Sequence, residues 1–398
     1  MKIAIVTRGS LPIPNVKGGG VETLISALMN ENEKSENKMV VYSIYNEEAA
    51  LRSEEYVNTE MVYLPKQERT IRDRVRARVL GDFPREAPMS YTKIADNIEK
   101  ENFDRIVLEN ASWQFYFFVK RFGNKVYLHL HNDWINNTWG ETYKEKFRYA
   151  INHCGGVIVV SKFLKERVET LKKVNQDKIR VLYNATDIKM FSKEISQKEK
   201  AELRKKLNIK GKEKLIIYTG RICEDKGVLE LLESFTNMCD KYSDVKLLIV
   251  GSVSYGETTT DKYTMKVHDI VNQYSERIIT TGFVPYQEMY KYYSIADIQV
   301  IPSMWEEPFG LVAIEGMAQG LPIIATDSGG LNEILNENNS IVIKRNNIIK
   351  ELEYAMERLC DNESLCNIIK SNAMDTIKKH KEYSYEEYYK LFINLLLH

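Results

Sequence analysis

The chain has 398 residues, with 56 Lys plus Arg against 56 Asp plus Glu, so its formal net charge is zero and no global field of either sign points to nucleic acid or to a basic partner. That length exceeds one ordinary core and predicts about two domains. The five cysteines have no metal-like spacing and fit reduced thiols, and the absence of a signal-peptide core or an apolar run of spanning length predicts a cytoplasmic protein, soluble or peripheral at the inner face of a membrane.

Short β-branched runs alternate with longer amphipathic segments from end to end, which predicts α/β architecture with parallel sheets flanked by helices. In the first half the predicted strands are 3–7, 39–45, 105–108, 125–130, 156–160 and 179–183. Gly18, Gly19 and Gly20 follow the first strand and precede Glu22 and an apolar helix, a composition that lets backbone approach a ligand closely. The glycines come late and with the wrong spacing for G-x-G-x-x-G, and no G-x-x-x-x-G-K-[ST] loop exists, which argues against a dehydrogenase and a P-loop nucleotidase. Residues 69–80 are the one strongly basic run. On a helix, Ile71, Val75 and Val79 form an apolar line bordered by Arg69, Arg72, Arg74, Arg76 and Arg78. Two readings stand level: an anionic membrane surface or lipid diphosphate acceptor, and an ordinary amphipathic helix packed on the first sheet. His129 and His131 share one face at the end of a strand, but no third ligand has sensible spacing, so no metal is expected. His131, nearer the loop, is the candidate for a sugar hydroxyl or phosphate contact, and His129 belongs to the core or supports it.

Residues 184–198 read as a connector. A second series of strands follows at 215–218, 246–250, 277–280, 298–301, 322–325 and 340–343. The chain thus divides into two doubly wound units, 1–190 and 199–378, with 379–398 including an aromatic-rich helix expected to pack back on the first unit. In open α/β sheets ligands sit outside the carboxyl ends of strands, so two such units facing each other are expected to form a cleft, and the loops are where to search. After the strand 215–218, Gly220, Arg221, Lys226 and Gly227 occupy one loop. Arg supplies a fixed fork and Lys a mobile point charge, a pair suited to a diphosphate. Gly282, Phe283, Val284 and Pro285 form a loop able to flank a nucleobase. The stretch from Glu307 through Pro308, Phe309, Gly310 and Leu311 to Glu315 and Pro322 places one carboxylate just outside a helix and one inside it. Its first N–H groups are free to receive phosphate oxygens, while the ionised carboxylates accept from sugar or ribose hydroxyls.

In order and spacing, Gly18-Gly19-Gly20-x-Glu22, Val160-Ser161, Gly220-Arg221, Lys226-Gly227, Gly282-Phe283-Val284-Pro285, Ala296-Asp297-Ile298, Pro302-Ser303 and the Glu307–Pro322 stretch resemble the two-domain glycosyltransferases of the GT-B fold, specifically the retaining family four. The resemblance covers nearly the whole chain. It implies that Arg221 and Lys226 bind the donor diphosphate, Glu307 the transferred sugar and Glu315 the ribose. It further implies that Phe309, Gly310 and Leu311 offer backbone donors, that Gly19 and Gly20 close over the phosphates, and that His131 contacts the donor sugar near its C6 hydroxyl. The implied co-substrate is a nucleotide sugar, a uridine diphosphate sugar in preference to a guanosine diphosphate sugar. No cofactor is implied, and no D-x-D motif for a metal occurs. The acceptor would be a saccharide or lipid-linked saccharide in cell-surface glycan synthesis, attacked with retention at the front face. Ala185 stands where that family usually has glycine, so the turn there must avoid positive φ or accept strain. Competing readings are a GT-B-like nucleotide-sugar epimerase, a glycosidase using the two glutamates, and a noncatalytic sugar-nucleotide-binding subunit.

Overall fold

The computed structural model describes residues 1–80, 85–135, 140–252 and 262–397, and the side chains of Arg76, Ala77, Arg78 and Leu80, part of the basic run, lie outside that description. The chain forms two compact units, Met1–Asn184 with Tyr385–His398, and Ala185–Ser384.

The first unit is built on seven strands, β1 (Lys2–Val6), β2 (Lys38–Ile44), β3 (Thr59–Leu64), β4 (Arg105–Glu109), β5 (Val126–Leu130), β6 (Gly156–Val159) and β7 (Ile179–Val181). All pairings are parallel, in the order β3-β2-β1-β4-β5-β6-β7. Strands covered on both faces must be apolar throughout, and β4 and β5 accordingly bury almost every residue. β3 has no counterpart among the predicted strands. It is an edge strand, with Glu60 exposed and the three residues after it only half-buried.

The second unit carries β8 (Lys214–Thr219), β9 (Val245–Val250), β10 (Ile278–Gly282), β11 (Ile298–Ile301), β12 (Ile323–Thr326) and β13 (Ile341–Ile343), all parallel in the order β10-β9-β8-β11-β12-β13. The segment read as a connector instead belongs to this unit. It holds the short helix Ile188–Phe191, and Phe191 and Ile195 are buried with Leu215, Leu248 and Tyr293. Ala185 is buried and is not among the non-glycine residues with positive φ, so the turn avoids the strain its Cβ would cause.

Residues 71–80 do form a helix, Ile71–Leu80, started by Thr70, whose Oγ1 and N–H both donate to Asp73 Oδ2 at 2.6 and 3.0 Å. Its apolar line is not packed on the sheet: Ile71, Val75 and Val79 are 80%, 56% and 69% exposed. Among the described residues, no helix is long and apolar enough to cross a membrane.

Candidate functional site

In the second unit β8 and β11 are neighbours at the point where the strand order reverses, so the loops leaving them open over the crevice where such sheets bind ligands. The loop after β8 is seated on the exit of β11 through Gly227. This residue has φ 66°, and a Cβ there would lie 1.9 Å from the Pro302 carbonyl oxygen. That approach brings Lys226 to Glu307, with Nζ 2.5 Å from Oε1. The same oxygen accepts from the Ser303 hydroxyl at 2.6 Å. The Glu307 backbone is fixed as well: its N–H donates to Ser328 Oγ at 2.9 Å, and its carbonyl accepts from the Gly330 N–H at 2.7 Å. Burial pushes the Glu307 carboxyl up, but Lys226 and the Ser303 hydroxyl outweigh it and hold the group below the usual carboxylate range, ionised at neutral pH. Lys226 also lies 5.1 Å from the centre of the Trp305 ring. Arg221 is exposed and forms no ion pair among the described residues, and its carbonyl accepts from Tyr218 Oη at 2.6 Å.

Glu307 precedes the helix Leu311–Gln319, whose N-cap Gly310 has φ 107° and offers no side-chain cap. Its first N–H groups therefore keep their donor capacity for a ligand. Gly316 lets the helix lie against β11, since a Cβ there would meet Gln299 Oε1 at 1.7 Å. Phe309 is buried, edge-on to Tyr383 with ring centres 6.1 Å apart, so its side chain anchors the turn. Inside the helix, Glu315 is buried and accepts from the Tyr293 hydroxyl at 2.9 Å, which in turn lies 2.7 Å from Thr219 Oγ1. Burial raises the Glu315 carboxyl to about 7, with Tyr293 acting against it. The two glutamates thus differ in charge at neutral pH because one has a cation and the other only a phenol. After β10, Phe283 is 49% exposed, while Val284 is half-buried and packs against the core.

In the first unit Gly19 has φ 105°, and a Cβ there would fall 2.2 Å from Glu22 Oε2, so only glycine fits. Gly20 opens the helix Gly20–Asn32, and Glu22, in its first turn, is raised to about 7 by burial. His131 does not stand open at the strand end: it and His129 are both buried against Glu109. The register sets Glu109 opposite His129, with Nδ1 3.2 Å from Oε1, and His131 Nε2 lies 2.9 Å from Oε2. Glu109 is also buried, yet the two imidazoles bring its carboxyl down to about 2, and burial together with His129 lowers His131 to about 4. The ionised carboxylate can only accept, so His131 presents Nε2–H to it and keeps Nδ1 as a lone-pair acceptor. A third group beside the two histidines does therefore exist, contrary to the sequence reading: donor atoms of Glu109, His129 and His131 lie within 4.8 Å of one another. Their separations are those of hydrogen bonds from ring nitrogens to the carboxylate.

Glu109, Tyr293 and Trp305 are not among the residues the sequence singles out, and Ser303 enters there only as part of the Pro302-Ser303 motif. The signal for Glu109 was a carboxylate ending an otherwise apolar strand.

Residues 18–189 match Glycosyltransferase Family 4 and residues 199–376 match Glycosyl transferases group 1, leaving uncovered only the termini and the short joint between them. Two glycosyltransferase domains are thus joined in one chain, and its fold is GT-B. The fold is shared with HepE from Anabaena, solved with UDP and glucose, at a TM-score of 0.77 and 18% identity over 100% of this chain and 99% of that one. The Bacillus subtilis protein YtcC is 26% identical over 96% of this chain and 88% of its own length. The lipopolysaccharide 1,2-N-acetylglucosaminetransferase of Salmonella typhimurium is 28% identical over 66% of each chain.

Proposed function

We propose that the protein transfers a sugar from a uridine diphosphate sugar to a saccharide or lipid-linked saccharide, with retention and without a metal ion, in the building of a cell-surface glycan. The second unit is the nucleotide-sugar-binding domain and the first the acceptor-side domain. The observation that carries this reading is the Lys226–Glu307 ion pair beside the uncapped start of the helix Leu311–Gln319, with Arg221 exposed after the same strand as Lys226. As the nucleoside diphosphate departs, negative charge builds on its phosphate. Lys226, Arg221 and the amides of Gly310 and Leu311 stabilise that charge. Positive charge builds on the sugar ring, and the ionised Glu307 holds the sugar without becoming a covalent nucleophile. The acceptor hydroxyl attacks from the leaving-group side: its oxygen bonds to the anomeric carbon, the bond to the phosphate oxygen breaks, and its proton passes to that oxygen. Glu315 holds the ribose and Phe283 flanks the base. Gly19, Gly20 and His131 are the first unit's contacts to donor phosphate and sugar. The likeness to the lipopolysaccharide enzyme and to a fold solved with UDP supports the donor class and the glycan setting.

Incubation with a panel of nucleotide sugars tests this. Donor hydrolysis or transfer that persists in EDTA and is lost in Lys226→Ala supports it. An isomerised donor would mean an epimerase, and binding without turnover a noncatalytic subunit.

The exposed Ile71, Val75 and Val79, with Arg72 and Arg74 also exposed, support peripheral attachment of the first unit to an anionic membrane.

A further inference from the structure

The first unit repeats the geometry of the second at its own switch point. β1 and β4 are neighbours where the strand order reverses, and residues leaving them, Arg8 after β1 and Asn110, Ser112, Trp113 and Gln114 after β4, line a cavity of about 350 Å³. Three cations, Arg8, Lys66 and Arg69, border it, and no carboxylate does among the described residues. The two guanidinium groups are set by aromatic faces. Arg8 lies 4.4 Å from the Trp134 ring centre and 5.7 Å from that of Trp113, and Arg69 lies 4.4 Å from Trp113. The indoles meet edge-on with centres 6.1 Å apart, and Trp134 Nε1 donates to Asn110 Oδ1 at 3.2 Å. Asn110 itself sits at φ 55°, unusual for a residue with a Cβ, and its Oδ1 also accepts from the His131 N–H at 3.0 Å.

A guanidinium stacked on indole keeps its in-plane N–H fork available, the geometry that meets a carboxylate or phosphate. Arg8 forms no ion pair among the described residues. Burial lowers its pKa, and the carboxylate that acts on it from a distance, Glu22, is itself raised to about 7 by burial and so only partly charged at neutral pH. Arg8, partly desolvated and without an ion pair among the described residues, is costly there unless a ligand supplies the counter-charge.

We propose that this cavity binds an anionic saccharide, with its phosphate or carboxylate on Arg8, Arg69 and Lys66 and its hydroxyls toward Asn110. Its volume lies at the small end of ligand sites and suits one charged sugar residue better than an extended chain. Calling that sugar the acceptor rests on the transferase reading, whereas the anion site rests on the first unit alone.

Two of the chain's four tryptophans line the cavity, so intrinsic fluorescence reports its occupancy. The full chain would be titrated with glucuronate, glucose 6-phosphate, glucose and inorganic phosphate, with UDP binding measured in parallel by calorimetry. The expected result is that a charged sugar binds at least tenfold more tightly than glucose or inorganic phosphate. Arg8→Gln should weaken it at least tenfold and Lys66→Gln about threefold, with UDP affinity unchanged in both. Equal affinity for glucose would overturn the anion site, and so would unchanged affinity in the two variants. Lys66 is exposed, so its variant still decides the matter if Arg8→Gln fails to fold. Equal affinity for inorganic phosphate, or a response only to phosphatidylglycerol vesicles, would overturn the saccharide. Loss of UDP binding in the unaltered protein would instead count against the donor reading and leave the cavity result standing.

Discussion

Glu307 and Glu315 lie within one turn-and-helix segment yet have opposite electrostatic settings, and each setting has a measurable consequence. The Lys226 side chain is 22% exposed and that of Glu307 8%, so removing the lysine leaves a carboxylate that water barely reaches. Lys226→Ala is expected to cost about 2 kcal/mol of stability at pH 7, less than a fully buried pair because Ser303 remains and the lysine end is partly solvated. A folded-state pKa below the unfolded one contributes stability above the unfolded value and loses it as pH falls through the folded value. The stability gap between variant and parent should therefore close below about pH 4 in denaturant titrations. Glu315 behaves in the reverse sense. Its carboxyl titrates near 7 in the fold and at 4.5 in the unfolded chain, so the folded state binds the extra proton between these values and stability falls as pH rises through them. Glu315→Gln mimics the protonated form. It should match the parent near pH 4 and exceed it by on the order of 3 kcal/mol at pH 8, and a gap independent of pH would show that the carboxyl is not held protonated.

At the scale of elements, what the sequence made legible were the segments whose chemistry is contiguous. The Glu307–Pro322 stretch and the Gly220–Gly227 loop announce themselves because the turn, the cations and the carboxylates are close in the chain. Central strands are legible for a related reason, since burial on both faces demands unbroken apolar runs. Edge strand β3, with an exposed Glu60 and three half-buried residues, is under no such demand and is absent from the predicted strands. Glu109 was missed because its meaning comes from pairing: β4 must lie beside β5 in the observed register before the carboxylate meets two imidazoles. Arg8, Trp113 and Trp134 are likewise brought together only by the placement of β1, β4 and β5 side by side. The helix Ile71–Leu80 is the element whose pattern was legible and whose partner was not. Asp73 is engaged by Thr70, and the helix leaves an exposed apolar line beside arginines, so it should bind vesicles rich in phosphatidylglycerol. Replacing Ile71, Val75 and Val79 by serine should reduce sedimentation with such vesicles at least tenfold. Retention of binding would place the contact elsewhere on the chain.

For the molecule as a whole, the consequential feature is that the chain leaves the first unit at Asn184 and supplies its last helix, Tyr385–Leu397, only after the entire second unit has been made. Tyr388, Phe392 and Leu396 are buried, and the Tyr389 hydroxyl lies 2.9 Å from Asn32 Oδ1 and 2.8 Å from Ser35 Oγ. Arg105 Nε donates to the Leu396 carbonyl at 2.5 Å, satisfying an oxygen in the last turn of the helix. Phe392 also lies 6.1 Å, ring to ring, from His129, so this helix covers the Glu109–His129–His131 cluster. Each large side chain it buries contributes roughly 2 kcal/mol, and three of them amount to a large share of a domain's net stability. Deleting residues 385–398 should therefore abolish the cooperative unfolding of the first unit, because it removes core and opens an ionised carboxylate and two imidazoles to water. The second unit keeps its own core and the Lys226–Glu307 pair. In calorimetry the truncated chain should show one transition, shifted upward by UDP, where the full chain shows the first unit's contribution as well. If the first unit's transition survives truncation at its original temperature, the terminal helix is a passive cover, and the histidine cluster owes its burial to the sheet alone.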